Sequence, residues 1–255
     1  MTIHRAARSF DRVPDVYERG RPEYPAAVVD IIAAALGMTR SSTVVDLAAG
    51  TGKLTRLLAA AGARVVAIEP AGGMRAALEA VVPEAEVREG TAEHMPLDDD
   101  SADVVTVAQA FHWFAAESAL AEIQRVLRPD GGLALVWSRR DTAQQIQRAI
   151  EELIAPYRQD APRHAAGAWR PVIAASERFT PVGEWHVPQR QTVDVDRLDD
   201  RVMSISFIAS LPDSERARVR ERTRALSREM PASFDLDYIS DVYCYRVVKG
   251  ITTPP

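Results

Sequence analysis

The run Asp46-Leu47-Ala48-Ala49-Gly50-Thr51-Gly52 sets an acid and two glycines within one short stretch, and Glu69 lies 17 residues beyond Gly52. A turn of small residues lets a ligand pass close over its backbone. Gly50 and Gly52 permit positive φ and carry no Cβ to obstruct that approach. An acid at the tip of the next strand can accept hydrogen bonds from both hydroxyls of a ribose. The chemistry these residues suit is nucleoside binding. A dinucleotide turn has the spacing G-x-G-x-x-G and leaves room for a pyrophosphate at the following helix. Here the third glycine is absent, and Asp46 inside the strand disfavours a phosphate and favours a cation or an ammonium group.

Such residues need elements to hold them. The apolar run Thr43–Leu47 reads as a buried strand leading into the turn, and Leu54, Leu57, Leu58 and Ala61 mark one face of the helix that follows. Arg64–Ile68 reads as a second strand ending at Glu69. A helix then extends to about residue 82, and 85–89 reads as a third strand. The fourth strand, 103–108, runs directly into Gln109-Ala110-Phe111-His112-Trp113-Phe114. Ligands of a parallel sheet sit at the carboxyl ends of its strands, so this string lies where two reactants meet. A helix burying Leu120, Ile123 and Leu127, a turn at 128–132 and a fifth strand at 133–137 follow. Upstream, Pro25 suits the first turn of a helix that buries Val28, Ile32 and Leu36 and stops at Gly37. Downstream come a helix with Ile146, Ile150, Leu153 and Ile154 on one face and a loop over 156–176. Phe179–Val193 then reads as an edge strand, with Val182, Trp185 and Val187 inward and Pro181 and Pro188 marking the edge. Helices at about 196–209 and 212–229 and a last strand at 242–248 complete the chain.

Several of these strings resemble one family. D-x-A-x-G-x-G resembles the first motif, [DE]-x-G-x-G-x-G, of class I S-adenosylmethionine-dependent methyltransferases, with Ala48 where the first glycine is usual. Gly90-Thr91-Ala92-Glu93-His94-Met95-Pro96 resembles the family's G-[DN]-A-E-x-L-P segment, with Thr91 in place of the acid or amide. The series at Leu127, Pro129, Gly131 and Gly132 resembles its L-x-P-x-G-G. The string from Tyr17 through Arg21-Pro22-Glu23-Tyr24-Pro25 resembles that of the trans-aconitate methyltransferase-like subgroup. The resemblance covers 43–137, and more loosely 10–25. It implies an α/β fold: a doubly wound, Rossmann-like, seven-stranded sheet with helices on both faces and an α-helical lid inserted near a C-terminal hairpin. The expected division is an arm and helix over 1–40 covering the cofactor, a cofactor-binding core over 41–140, and a C-terminal part with a helical substrate-side elaboration over 141–255.

The resemblance also implies S-adenosyl-L-methionine as cofactor and S-adenosyl-L-homocysteine as product. The expected cofactor residues are Tyr17, Arg21, Asp46, Ala48, Gly50, Gly52, Glu69, Pro70, Met74, Thr91, Ala92, Glu93 and Gln109. The implied activity is in-line methyl transfer to a small molecule, on oxygen by likeness to the subgroup. A binding module without catalysis is an alternative. An NAD(P) oxidoreductase is a weaker one, because Asp46 and the absent third glycine oppose it. His112 is either a general base for a hydroxyl acceptor or a histidine that holds its loop; a carboxylate acceptor needs no base. Trp113, with Phe111 and Phe114, forms either an apolar wall at the methyl group or core. Arg139 and Arg140 form either a carboxylate clamp or a solvated pair.

Composition sets the outer bounds. The net charge of −5 argues against nucleic acid and anionic membrane as partners. The one cysteine excludes an internal disulfide. His4, His94, His112, His164 and His186 lack ligand spacing, and the fourth-strand exit carries no carboxylate, so no metal is expected. The first ten residues lack an apolar signal region, and no run suits a membrane span. The expectation is a cytoplasmic monomer or homodimer.

Overall fold

A computed structural model of the chain describes residues 18–114, 116–158 and 167–249. They divide into two compact units. The first takes the described parts of Tyr24–Trp137, Arg163–Val187 and Asp241–Pro255; the second takes those of Met1–Glu23, Ser138–Pro162 and Pro188–Ser240.

Thr43–Leu47 (β1), Arg64–Ile68 (β2), Glu86–Arg88 (β3), Ala102–Ala108 (β4), Leu127–Arg140 (β5), Phe179–Val193 (β6) and Phe234–Val247 (β7) form one mixed sheet. Its order is β3-β2-β1-β4-β5-β7-β6. The pairs β1–β2, β2–β3, β1–β4 and β4–β5 are parallel. Strand order therefore runs outward from β1 to β3 and resumes on the other side with β4. The reversal falls between β1 and β4, where open α/β sheets bind their ligands.

In the first unit Ala26–Leu36 (α1), Thr55–Ala60 (α2), Gly72–Val81 (α3), Glu117–Val126 (α4) and Trp169–Ser176 pack on the sheet. Side chains alternate between the faces of a strand. Val45, Leu47, Val105, Val107, Leu133 and Leu135 share one core with Leu120 and Ile123 of α4 and with Trp169 and Ile173. Val44, Val104, Ala134 and Val136 share another with Val28, Ile32 and Leu36 of α1 and with Leu54 and Leu58. A parallel sheet covered on both faces has strands that are apolar at nearly every position, and β1 and β4 have that composition. The expected doubly wound α/β sheet is present.

The second unit has its own core. Ile146, Ile150, Leu153 and Ile154 of Gln145–Ile154 (α5) meet Leu198, Val202 and Met203 of Val195–Met203, Ile208 of Ser206–Ala209, and Val219 of Asp213–Leu226. Phe234, Leu236 and Tyr238 of β7 and Val193 of β6 close it. Three helices thus fall between β6 and β7, where the sequence suggested two. The expected single helix over 196–209 is interrupted at Ile205, whose backbone is extended.

Other elements differ from expectation for local reasons. The turn at 128–132 lies inside β5, as an irregularity of the ladder. Ala102 pairs with Leu127 and Val104 with Gly132, so the residues between bulge out, and Asp130 takes φ 65°. A Cβ on Gly132 would lie 2.6 Å from Leu36 Cδ2, so glycine lets α1 approach the sheet. The segment expected as a loop over 156–176 contains Trp169–Ser176 (α6). Its Pro171 is tolerated because it sits in the first helical turn. Val182 is exposed, while Trp185 and Val187 are half-buried, because Val182 has the opposite parity in β6. The edge position expected for β6 is correct.

Trp169 ties the aromatic part of the core together. It stacks on Trp137 at 4.8 Å and meets Tyr243 edge-on at 4.9 Å. Trp169→Ala should destabilise the protein by about 3–5 kcal/mol, and Val182→Ala should change stability by less than about 0.5 kcal/mol. Equilibrium urea unfolding checks both. Equal effects would mean that α6 is not part of the core.

Candidate functional site

Leu47 pairs with Ile68 and with Val107, and Ile68 pairs with Arg88. The segments that leave β1, β2, β3 and β4 therefore start along one edge of the sheet. They bring together Ala48, Gly50 and Gly52, Glu69 and Pro70, Thr91 to Glu93, and Gln109 to Trp113.

Asp46 is 1% exposed, and its register partner in β4 is Thr106. The Thr106 hydroxyl donates to one carboxylate oxygen at 2.9 Å and the Thr55 hydroxyl to the other at 2.6 Å. Burial pushes the Asp46 pKa up to about 6, against the opposing pull of the two hydroxyls. The carboxylate joins β1, β4 and the first residue of α2. Thr55 and Thr106 were not picked out from the sequence. The signal for Thr106 was a hydroxyl in the middle of an otherwise apolar strand.

The turn after Asp46 has positive φ at Ala48 (57°), Gly50 (59°) and Gly52 (85°). Gln109, the first residue after β4, also has a positive φ of 59°. The residue leaving each strand at the reversal is thus held in the left-handed region without being glycine, a conformation that costs about 1–3 kcal/mol and clusters at functional sites. A Cβ at Gly50 would meet nothing within 4 Å, so its backbone faces open space; one at Gly52 would lie 3.0 Å from Leu78 Cγ of α3. Helical bonding begins here, with the Arg56 N–H donating to the Gly52 carbonyl at 3.0 Å.

Glu69 is 7% exposed. One carboxylate oxygen accepts the Gly50 N–H and the other the Ala71 N–H, each at 2.9 Å. Each oxygen keeps a second lone pair. Burial raises the pKa above the usual carboxylate value, and the two N–H donors and Arg75 oppose it. Arg75 donates to the carbonyls of Glu69 and Pro70 at 2.9 and 2.7 Å and to the Glu89 carboxylate at 2.6 Å. It fixes the tip of β2 to the exit of β3, and it too was missed in the sequence. Met74 is buried in α3. The Thr91 and His94 backbones bond reciprocally at 3.1 and 3.2 Å, closing the turn that carries buried Ala92 and half-buried Thr91 and Glu93.

After β4, Phe111–Trp113 form a short 3-10 turn. Phe111 is fully buried edge-on to Trp169, so it belongs to the core. His112 and Trp113 are half-buried, with ring centroids 5.0 Å apart. The Trp137 indole N–H donates to His112 Nδ1 at 3.2 Å. An indole N–H can only donate, so Nδ1 is the acceptor and the neutral ring carries its proton on Nε2.

Three candidates belong to the second unit. Arg21 donates to the Ser204 carbonyl at 3.1 Å. Arg139 is exposed, whereas the Arg140 side chain is 12% exposed. Tyr17 lies outside the described residues. Among the described residues no three His, Cys, Asp or Glu side chains gather to hold a metal, and no helix is long and apolar enough to cross a membrane.

Comparisons with known proteins bear on the family and the fold. A family profile described as a methyltransferase domain matches residues 45–135. An uncharacterised methyltransferase-like protein of Schizosaccharomyces pombe is 33% identical over 233 residues, which is 91% of this chain and 90% of that protein. An uncharacterised methyltransferase of Mycobacterium tuberculosis is 38% identical over 224 residues, 88% of this chain and 87% of the relative. A solved structure assigned as a type II methyltransferase from Anaeromyxobacter dehalogenans superposes with a TM-score of 0.66 at 20% identity, covering 90% of this chain and 99% of that one. At that identity the likeness speaks for the fold.

The buried Asp46 makes stability depend on pH. Its folded-state pKa of about 6 lies above the usual 3.8, so the folded protein binds this proton more tightly than the unfolded chain does. The contribution is full below the unfolded value and is lost as pH rises through the folded one, by up to about 3 kcal/mol. Asp46→Asn removes it. Denaturant unfolding at about pH 4.5 and about pH 7.5 should show a pH difference smaller by about 1–3 kcal/mol in the variant. An unchanged difference would mean that the carboxylate is solvated.

Proposed function

Since the chain belongs to the class I S-adenosylmethionine-dependent methyltransferases, we propose that it binds S-adenosyl-L-methionine at the Ala48–Gly52 turn and methylates an oxygen of a small molecule. One observation carries this reading. Glu69 is buried at the tip of β2, tied to the Gly50 N–H beside an open turn, and keeps a lone pair on each oxygen.

The residues fit that cofactor. Gly50 leaves room above the turn, and Glu69 can accept from two ribose hydroxyls. Asp46 and Glu69 supply negative potential suited to a sulfonium and an ammonium, with Asp46 acting through its field because both its oxygens already accept hydroxyls. Thr91, Ala92 and Glu93, on the turn after β3, are proposed to meet the base, and Pro70, Met74 and Gln109 to line the site. Bound there, the cofactor would supply an electrophilic methyl carbon, which the acceptor oxygen would attack in line as the C–S bond breaks to release S-adenosyl-L-homocysteine.

His112 takes the acceptor side. With Nδ1 accepting from Trp137, the ring presents an N–H from Nε2, the form of a donor. Its proposed role is to hold an acceptor oxygen that arrives ionised, with Trp113 beside it excluding water. An NAD(P) oxidoreductase has no support from the family. A binding module without turnover is the remaining alternative, and release of S-adenosyl-L-homocysteine separates it from an enzyme.

Two measurements test these roles. Glu69→Ala removes charge-assisted bonds worth about 1.5–3 kcal/mol each. Calorimetry should therefore show S-adenosyl-L-methionine affinity falling at least about tenfold in a folded variant; unchanged affinity would end the assignment. His112→Gln keeps a donor and should keep turnover within about fivefold of wild type, with no rise in rate through the histidine range near ~6.5. A loss of about 10²–10⁴-fold together with such a rise would instead make His112 a general base.

A further inference from the structure

Arg75 lies near the start of α3, with its side chain 21% exposed. Its Nη1 donates to the carbonyls of both Glu69 and Pro70, at 2.9 and 2.7 Å. Its Nη2 donates to the Glu89 carboxylate at 2.6 Å. Glu69 and Pro70 leave β2, and Glu89 leaves β3. The guanidinium therefore joins the turn that carries the buried acid to the turn that continues into Thr91, Ala92 and Glu93. Gly90 brings the same two turns together independently. A Cβ there would lie 2.8 Å from Ile68 Cγ2 and 2.9 Å from Pro96 Cδ.

Arg75 completes the restraint of Glu69. The Glu69 N–H donates to the Arg88 carbonyl at 3.2 Å, and its carboxylate oxygens accept the Gly50 and Ala71 N–H groups. Its carbonyl is left to Arg75. The backbone N–H of Arg75 donates to the Ala71 carbonyl at 3.0 Å, so this residue grips the Glu69–Ala71 segment at both ends. Ala71 is the N-cap of α3 and has no side chain that could cap it. Glu69 takes that place, so the start of the helix and the orientation of the acid are set together.

The two legs of Arg75 differ in weight. Glu89 is 72% exposed, and an exposed ion pair contributes little. The bonds to the carbonyls have a charged donor and are the stronger kind, and the Glu69 they hold is buried. The Arg75 charge also opposes the burial that raises the Glu69 pKa, while Asp46 acts with that burial. It thus favours the ionised carboxylate, which only accepts hydrogen bonds.

We infer that Arg75 is a positioning residue for the nucleoside half of the cofactor, acting through the backbone and carboxylate of Glu69. The inference rests on the proposed S-adenosyl-L-methionine site and deepens it, by naming the group that orders the ribose acceptor before the ligand arrives. Groups ordered in advance bind without paying for their ordering on association.

The test is calorimetry of the full chain with S-adenosyl-L-methionine and S-adenosyl-L-homocysteine. Arg75→Met should weaken both at least about tenfold and by the same factor, because they share the nucleoside and differ at sulfur. Removing a cation that acted only through its field would favour the sulfonium over the neutral thioether. Glu89→Gln should change either affinity by less than about threefold. Beside Glu69→Ala, Arg75→Met should cost less than about threefold, because the group it positions is gone; a merely structural role would cost the same in both backgrounds. Arg75→Lys keeps the charge without the planar fork, so its affinity should lie between wild type and Arg75→Met. It carries the test where urea unfolding shows that the methionine variant does not fold. Wild-type affinity in both Arg75 variants would overturn the inference, as would a loss confined to S-adenosyl-L-methionine, or the full loss persisting beside Glu69→Ala. Wild-type protein that binds neither ligand would end the cofactor site itself, whereas wild-type binding with unaffected Arg75 variants ends only this role.

Discussion

The buried carboxylate of Asp46 is the constraint on which the site depends. A charge or a proton placed between β1 and β4 must be satisfied in a medium where water cannot reach it. Thr106 satisfies one oxygen from across the ladder and Thr55 satisfies the other from the start of α2. Three elements are thereby held at the point where strand order reverses. The residues leaving the two strands, Ala48 and Gln109, can then be kept in a left-handed backbone that an isolated turn would relax. Glu69 continues the same logic one strand away, because its two bonds fix the Gly50 and Ala71 backbones. The turn is shaped by acids whose carboxylate oxygens each already accept a hydrogen bond.

That accounting separates two acids that look alike in the sequence. Both are buried, and burial raises both pKa values. Asp46 receives two hydroxyls from side chains on other elements, so its role is to fix the turn. Glu69 receives two backbone N–H groups and retains acceptor capacity on each oxygen. A ligand hydroxyl can use that capacity at little cost, since the carboxylate is already desolvated and oriented. Preorganisation of this kind lets a short turn bind without rearranging.

Much of the first unit was legible because its information is local. The runs T-V-V-D-L and R-V-V-A-I are apolar at nearly every position, a composition that belongs to strands buried on both faces, and the glycine spacing defined the turn between strand and helix. What was not legible depends on distant partners. The α6 helix carries a proline and two alanines, and its reason to fold is the packing of Trp169 on Trp137 and Tyr243. The bulge in β5 is set by register with β4 and by the approach of α1 to Gly132. His112 was visible as a candidate, but its tautomer is decided by Trp137, 25 residues along the chain. Arg139 and Arg140 were indistinguishable as neighbours. Alternation along β5 leaves Arg140 half-buried and exposes Arg139.

The buried charge at the strand ends of the first unit bears on the proposed reaction. Asp46 and Glu69 are buried there together with Lys53, and in that reading the two acids complement a cationic methyl donor. Where the proposed acceptor is an anion, the reactants carry opposite charge, and transfer of a methyl group from a sulfonium to a carboxylate cancels both. Charge is dispersed as the transition state forms, so removing water from the reactants costs the ground state more than the transition state. The same attraction is worth far more in a medium of low dielectric than in water. Such a transfer needs no base, and the Nε2–H tautomer that Trp137 imposes on His112 is compatible with that chemistry.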